Sequence, residues 1–198
     1  MIINETVLLE NGANYEDFAA KQTIFTMGNQ PNYYLQIVSG IVELNNYHDD
    51  GKEFTLNILS DGEAINESLL FSENSEPVNA VARTDCKVLR LSKPNFMKMV
   101  RENYEILYDM LRCLSNRILY KNFMLFNNSS ADPTAKIQAL LDYHKKMSMK
   151  KDSYGFYVSL TRQQIANLTG LRVETVIRTI KKMEKANVLK IENRKVFY

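Results

Sequence analysis

Gly170 splits the stretch "SLTRQQIANLTGLRVETVIRTIKKMEKANVL" into two amphipathic patterns, and no other feature restricts the fold as tightly. Before the glycine, Thr161 and Gln164 have the spacing of a capping box, each side chain satisfying a backbone N–H of the first helical turn. Ile165, Ala166 and Leu168 then make an inward face. After the glycine, Val176, Ile180 and Met183 fall at i, i+4 and i+7, a buried stripe. The opposite face carries Glu174, Ile177, Arg178, Lys181, Lys182 and Lys185. One greasy and one basic face suit a surface helix, a partner-binding helix or a DNA reader. The short helix joined through a glycine turn favours the last. "VLKIENRKVFY" then predicts two short strands around Asn193, a hairpin wing.

Charge is distributed unevenly. Residues 1–130 hold 11 Lys/Arg against 17 Asp/Glu, a net of −6, and residues 131–198 hold 14 against 6, a net of +8. The formal total of +2 hides this asymmetry. An acidic body with a small basic end points to a polyanionic partner for that end.

Up to about Ser92 the chain reads as β-rich. Apolar and β-branched runs at Tyr33–Val38, Ile41–Leu44, Phe54–Leu59 and Val78–Ala82 alternate with Gly28, Gly40, Gly51 and Gly62, spaced 12, 11 and 11 residues apart. Regular turn glycines between short strands predict a sandwich or barrel. Asp50-Gly51 marks a hairpin turn. A short helix near Pro94–Val100 and a long one from about Asn103 to Phe126 follow. In the long helix Leu107, Leu111, Leu114, Ile118 and Leu125 form one seam, interrupted by Lys121. Ile106, Met110, Leu119, Phe123 and Phe126 add a second apolar flank. Two stripes predict one face packed at home and one against a second copy. "NNSSADP" reads as a linker, with Asp132 an N-cap and Pro133 the first position of a helix faced by Ile137, Leu140, Leu141 and Met147. Lys145, Lys146, Lys150 and Lys151 cluster at its end.

Several classes are excluded. No apolar run approaches the ~20 residues of a membrane helix, and the opening residues lack the pattern of a signal peptide. Cys86 and Cys113 make neither a disulfide framework nor a metal-ligand set, so a reducing cytoplasm is expected. A metal-dependent β-roll enzyme of the cupin type needs clustered histidines. His48 and His144 lie nearly 100 residues apart, and no nucleophile–base pair or phosphate-cradling glycine loop appears. No catalytic residue, metal or cofactor is expected.

The residues "LTRQQIANLTGLRVETVIRTIKKMEKANVL" resemble the CRP/FNR (catabolite activator-like) family of bacterial transcription regulators, through the pattern L-T-x-x-x-I-A-x-x-x-G-x-x-x-E-T-V-x-R. The segments "KQTIF", "GNQPNYYLQIVSGIVEL", "DGKEFTLNILSDGEAINESLLF" and "AVARTDCKVLRLS" resemble its cyclic-nucleotide-binding β-roll. The resemblance spans nearly the whole chain. It implies an α+β fold: an antiparallel β-roll, a jelly roll of the cyclic-nucleotide-binding type, over residues 1–102, a dimerisation helix and hinge over 103–130, and a winged helix-turn-helix over 131–198. It implies a homodimer on double-stranded DNA, with RNA polymerase a partner the resemblance allows. Glu174, Ile177 and Arg178 would read bases, since a carboxylate accepts from cytosine N4, an apolar group packs on a thymine methyl, and arginine donates two bonds to guanine. Glu174 and Arg178, at i and i+4, are expected to hold each other before contact. Thr161, Arg162, Gln163, Arg172, Thr175, Lys181 and Lys182 would meet the DNA backbone. Arg172 stands where a capping Ser or Thr is common, so that cap is expected to be weak.

In cyclic-AMP-binding members the resemblance implies a Gly-Glu pair and a nearby arginine for the cyclic phosphate. Here Asn66 replaces the glycine, Glu67 remains, and "SENSEPVNA" carries Pro77 and Val78 but no cation. No basic residue lies between Lys52 and Arg83. Burying a phosphate there would be costly, so Asn66, Glu67, Pro77 and Val78 read as a degenerate effector pocket and the effector stays unknown. A ligand-sensing or protein-binding module of the same roll is the alternative. Its nucleic-acid binding would lack a steep salt dependence.

Overall fold

The protein is described by a computed structural model that covers residues 2–51, 53–148 and 154–198. It packs as two compact units, Met1–Ile118 and Leu119–Tyr198.

The first unit opens with helix α1 (Glu5–Glu10), capped by the Asn4 side chain, and continues through β1 (Asn14–Phe18), β2 (Thr23–Phe25), β3 (Tyr33–Ser39), β4 (Val42–Tyr47), β5 (Glu53–Leu59), β6 (Asn79–Ala82) and β7 (Cys86–Ser92). These strands form two antiparallel sheets of order β1-β7-β3 and β2-β6-β4-β5. The four strands expected from apolar runs are β3 to β6. β1 escaped that reading because "NYEDF" buries only Phe18. The roll interior is filled by side chains from both sheets, among them Leu35, Ile37, Val42, Leu44, Leu59, Ile65, Val78, Ala80 and Val88. β3 is buried on both faces: Leu35 and Ile37 join that interior, while Tyr34 stacks on Phe96 with ring centroids 4.7 Å apart. Gln36 ties the N-terminal segment to the roll, since its amide donates to the Ile3 carbonyl at 2.8 Å and accepts from the Ile3 N–H at 3.0 Å.

Helix α2 (Lys93–Glu102) follows, capped by Ser92, and Asn103 breaks it from the long helix α3 (Tyr104–Asn128). Met110 is buried against the roll with Ile106 and Leu107 beside it. Leu107 and Leu114 are half-buried on the flank of that home face, whereas Leu111 and Ile118 are exposed, with Tyr104 and Tyr108 on the same side. The predicted seam is therefore graded across the helix, from half-covered to bare. Leu125, also on the seam, is exposed, as are Leu119 and Phe126. Phe123 instead packs on Tyr143, ring centroids 5.3 Å apart.

In the second unit α4 (Pro133–Met147) starts where Asp132 accepts from the Thr134 and Ala135 N–H groups. Those bonds hold the Asp132 carboxyl below its usual range. Lys150 and Lys151 of the predicted lysine cluster lie outside the described residues. β8 (Tyr157–Val158), α5 (Arg162–Thr169), α6 (Val173–Lys185), β9 (Lys190–Glu192) and β10 (Lys195–Phe197) complete the unit. The wing has three strands, in the order β8-β10-β9. The sequence signalled two; the third is only a residue pair. Tyr198 closes the sheet onto α4, its hydroxyl donating to Asp142 at 2.5 Å.

Candidate nucleic-acid interface

α5 begins with both halves of the capping box in place. The Thr161 hydroxyl oxygen accepts from the Gln164 N–H at 3.1 Å, and the Gln164 carbonyl oxygen accepts from the Thr161 N–H at 2.9 Å. Ile165, Ala166 and Leu168 are buried as their spacing requires. Gly170 ends the helix at φ 69°, a left-handed conformation that a side chain would strain. The turn is fixed further by the Leu171 N–H donating to the Ala166 carbonyl at 3.1 Å.

α6 is held by Val176, Thr179, Ile180 and Met183, all buried. Removing three apolar side chains of this size from water stabilises the docked helix by roughly 1.5–3 kcal/mol each. The outward residues Glu174, Ile177, Arg178, Lys181, Lys182 and Lys185 line one open surface. All six are exposed. Arg172 is the N-cap without a side-chain cap bond, as its identity foretold. Thr161 and Gln163 are exposed, Arg162 and Thr175 half-buried. Burial lowers the Arg162 pKa from its ordinary value.

One expectation is corrected. Glu174 and Arg178 do not hold each other: among the described residues neither has an ion-pair or hydrogen-bond partner. Exposed i,i+4 pairs gain only a few tenths of a kcal/mol in water, too little to fix two mobile side chains. Both termini are left open to an incoming group.

Asn66, Glu67, Pro77 and Val78, the residues expected to form an effector pocket, are held by the following contacts. Asn66 has φ 55° and ψ 32°, the left-handed conformation that glycine adopts freely and Asn tolerates best among residues with side chains. Its amide donates to the Glu76 carboxylate. Glu67 opens a 3-10 turn (Glu67–Phe71) with its side chain fully buried, and the Arg117 guanidinium from α3 reaches its carboxylate at 2.7 Å. Arg117 also donates to the Ala64 carbonyl at 2.5 Å, and the Cys113 thiol lies 3.7 Å from Glu67. Burial raises the Glu67 pKa, and Arg117 offsets only part of that rise. The Pro77 carbonyl accepts from the Asn46 amide at 2.8 Å, and Val78 is buried in the roll interior. Arg83 is committed to Glu43 at 2.6 Å and to Glu53. Arg117 was missed in the sequence, although Met110, Cys113 and Arg117 at i, i+3 and i+7 put it on the home face of α3.

Among the described residues no group of three or more His, Cys, Asp or Glu is arranged to hold a metal ion, and no helix is long and apolar enough to cross a membrane.

Residues 15–103 match the family described as the cyclic nucleotide-binding domain, and residues 137–197 match the Crp-like helix-turn-helix domain. The chain is 28% identical over 181 residues to the cAMP-activated global transcriptional regulator CRP of Salmonella typhimurium, covering 90% of this chain and 86% of the relative. Among solved structures it resembles the c-di-GMP responsive global regulator CLP of Xanthomonas campestris, with a TM-score of 0.78, 23% identity and 98% of each chain covered. FixK2 from Bradyrhizobium japonicum superposes with a TM-score of 0.77 at 14% identity, over 93% of this chain and 91% of that one. At such identities these two structures speak for the fold.

Proposed function

The chain belongs to the CRP/FNR family of transcription regulators, and from that premise we propose that it acts as a homodimer on an inverted-repeat operator, without cyclic AMP as its cue. The observation that carries the reading is the bare face of α6, where an uncommitted carboxylate and guanidinium stand one turn apart among lysines. Arg178 and Glu174 discriminate base edges, and Ile177 packs on a thymine methyl. Lys181 and Lys182, with Arg172, Thr175 and the start of α5 at Thr161, Arg162 and Gln163, grip phosphates. The net +8 of residues 131–198 supplies the attraction that lets one glutamate sit among them.

Dimerisation is supported by the bare side of α3, where Leu111 and Ile118 are 54% and 59% exposed. Two copies related by a two-fold axis place their reading helices one DNA turn apart. The case against cyclic AMP rests on charge: Glu67 already faces Arg117, Arg83 faces two glutamates, and the stretch around Pro77 and Val78 offers Glu73 and Glu76 in place of a cation. Working on chromosomal DNA, the protein belongs in the cytoplasm, with RNA polymerase as a partner at the promoter.

Selection of bound sequences from random duplex DNA, run with and without cyclic AMP, tests all three parts. The expected product is one two-fold-symmetric sequence, enriched equally in both arms. Asymmetric products would count against the dimer, enrichment only with cyclic AMP against the pocket argument, and no enrichment against sequence-specific reading.

A further inference from the structure

A cavity of about 310 Å³ opens in the roll among β1, β2, β3 and the loop that joins β2 to β3. Alternate residues of a strand share one face, so β1 turns both Glu16 and Phe18 towards it, and β3 turns Leu35. Phe18, Ile24, Phe25 and Leu35 make its walls apolar. Its volume falls at the small end of the range for organic ligands. Asn66, Glu67, Pro77 and Val78 are not among its lining residues, so it is separate from the effector pocket that the sequence led us to expect.

The charged groups of the lining are Glu16, Glu76 and Arg90. Two carboxylates against one guanidinium leave a net of −1. Arg90 is spent on Glu16, which it meets at 3.0 Å, with its guanidinium 3.6 Å from the Tyr33 ring centroid. The uncompensated charge is therefore Glu76. It is only 6% exposed, and among the described residues its carboxylate meets no cation. The Asn66 amide donates to one of its oxygens, and the other has no hydrogen-bond partner among the described residues. Glu76 is also clamped to the loop: the Gly28 N–H donates to its carbonyl and its own N–H donates to the Asn29 carbonyl, both at 2.8 Å. Burial raises the Glu76 pKa, the sign of a carboxylate short of positive charge. A glutamine at 76 would accept from Asn66 equally well and bury no charge. A carboxylate kept at that cost, on the wall of a cavity, marks a place where an opposite charge arrives.

We propose that this cavity binds a small organic monocation, a primary amine with an apolar body, whose ammonium pairs with Glu76 while the body packs on Phe18, Ile24, Phe25 and Leu35. The charges then balance, and the free Glu76 oxygen gains a charge-assisted hydrogen bond. An anion would meet the net negative charge of the lining. A zwitterion would bring its own carboxylate beside Glu16 and Glu76 and leave the imbalance in place. The site stands apart from the DNA reading given above, because amine binding requires no part of the second unit.

The test titrates the full chain, free of DNA, with three probes that share one aromatic body: 2-phenylethylamine, 2-phenylethanol and phenylacetate. Wild type is expected to bind the amine about tenfold more tightly than the alcohol, the size of a hydrogen bond to a charged group, and the acid more weakly still. Amine binding should shift the backbone amide resonances of residues 28–30 and of Glu76. Glu76→Gln should bind the amine about tenfold more weakly and the alcohol unchanged, with an unfolding midpoint level or raised because a buried charge is gone. Wild type that binds the alcohol as well as the amine, or neither, overturns the proposal. So does a Glu76→Gln variant with full affinity for the amine, or amide shifts confined to residues away from the cavity. The wild-type comparison needs no variant, so it decides even where Glu76→Gln fails to fold.

Discussion

The Arg117 guanidinium meets the buried Glu67 carboxylate at 2.7 Å across 50 residues of chain, fastening α3 to the roll. Removing one partner of a buried pair strands the other charge, so Arg117→Met is expected to cost about 3 kcal/mol at neutral pH. Much of that should return in Arg117→Met combined with Glu67→Gln. The folded-state pKa of Glu67 already lies above its ordinary 4.5, and losing Arg117 raises it further. Protonation then removes the stranded charge, so the deficit of Arg117→Met should narrow as pH falls towards the ordinary glutamate range. Denaturant melts at several pH values measure this, and a pH-independent deficit would argue against a charge effect.

Asn66 holds a left-handed backbone and also donates to Glu76. Asn66→Ala and Asn66→Gly both lose the hydrogen bond, but only alanine strains the backbone. The alanine variant is expected to be less stable than the glycine variant by about 1 kcal/mol. Equal stability would show that the backbone angle costs nothing here.

Arg178→Ala should lose roughly 1–3 kcal/mol of affinity for the selected operator and relax preference at one base pair. Lys181→Ala should weaken binding on all sequences and reduce the salt slope by about one. Quantitative binding to a panel of single-base operator variants separates the two. Uniform weakening by Arg178→Ala would make it a phosphate contact.

Ile118→Glu sets a charge on the bare side of α3, where the single chain has nothing to lose. The variant is expected to fold with wild-type secondary structure yet sediment at half the mass. A wild-type chain that itself sediments as a monomer would remove the dimer from the reading.

His144 has its Nε2 buried with no hydrogen-bond partner among the described residues, and burial depresses its pKa below the usual 6.5. The unfolded chain takes up this proton first as pH drops. Stability from His144 is therefore intact above pH 6.5 and is lost progressively as pH falls from there towards the depressed folded value. His144→Gln should flatten the pH dependence of unfolding of the second unit, followed by hydrogen exchange of α4. An unaltered profile would place the sensitivity elsewhere.

The parts of the molecule legible in the sequence are those whose signal is local. Thr161 with Gln164, Asp132 with Pro133, and Gly170 announce their caps and turn from neighbours a few residues away, and the structure has each in place. The apolar runs gave β3 to β6, while β1 passed unnoticed because four of its five residues are not buried. The Asn66–Glu76 bond and the Arg117–Glu67 pair join segments that only the finished roll brings together. The Glu174–Arg178 partnership failed in the opposite way: its spacing was right, but water competes successfully for both groups.

The β1–β7 ladder has a consequence for the growing polypeptide. Asn14 finds its partner in Arg90, so the first strand leaves the ribosome 76 residues ahead of the segment that completes its sheet. At about 5–20 residues per second, that strand waits roughly 4–15 s with its edge unmatched. The helix-turn-helix, built from contacts between near neighbours, needs no such delay. Translation speed through the first ninety codons therefore bears on how much of this protein escapes aggregation at birth.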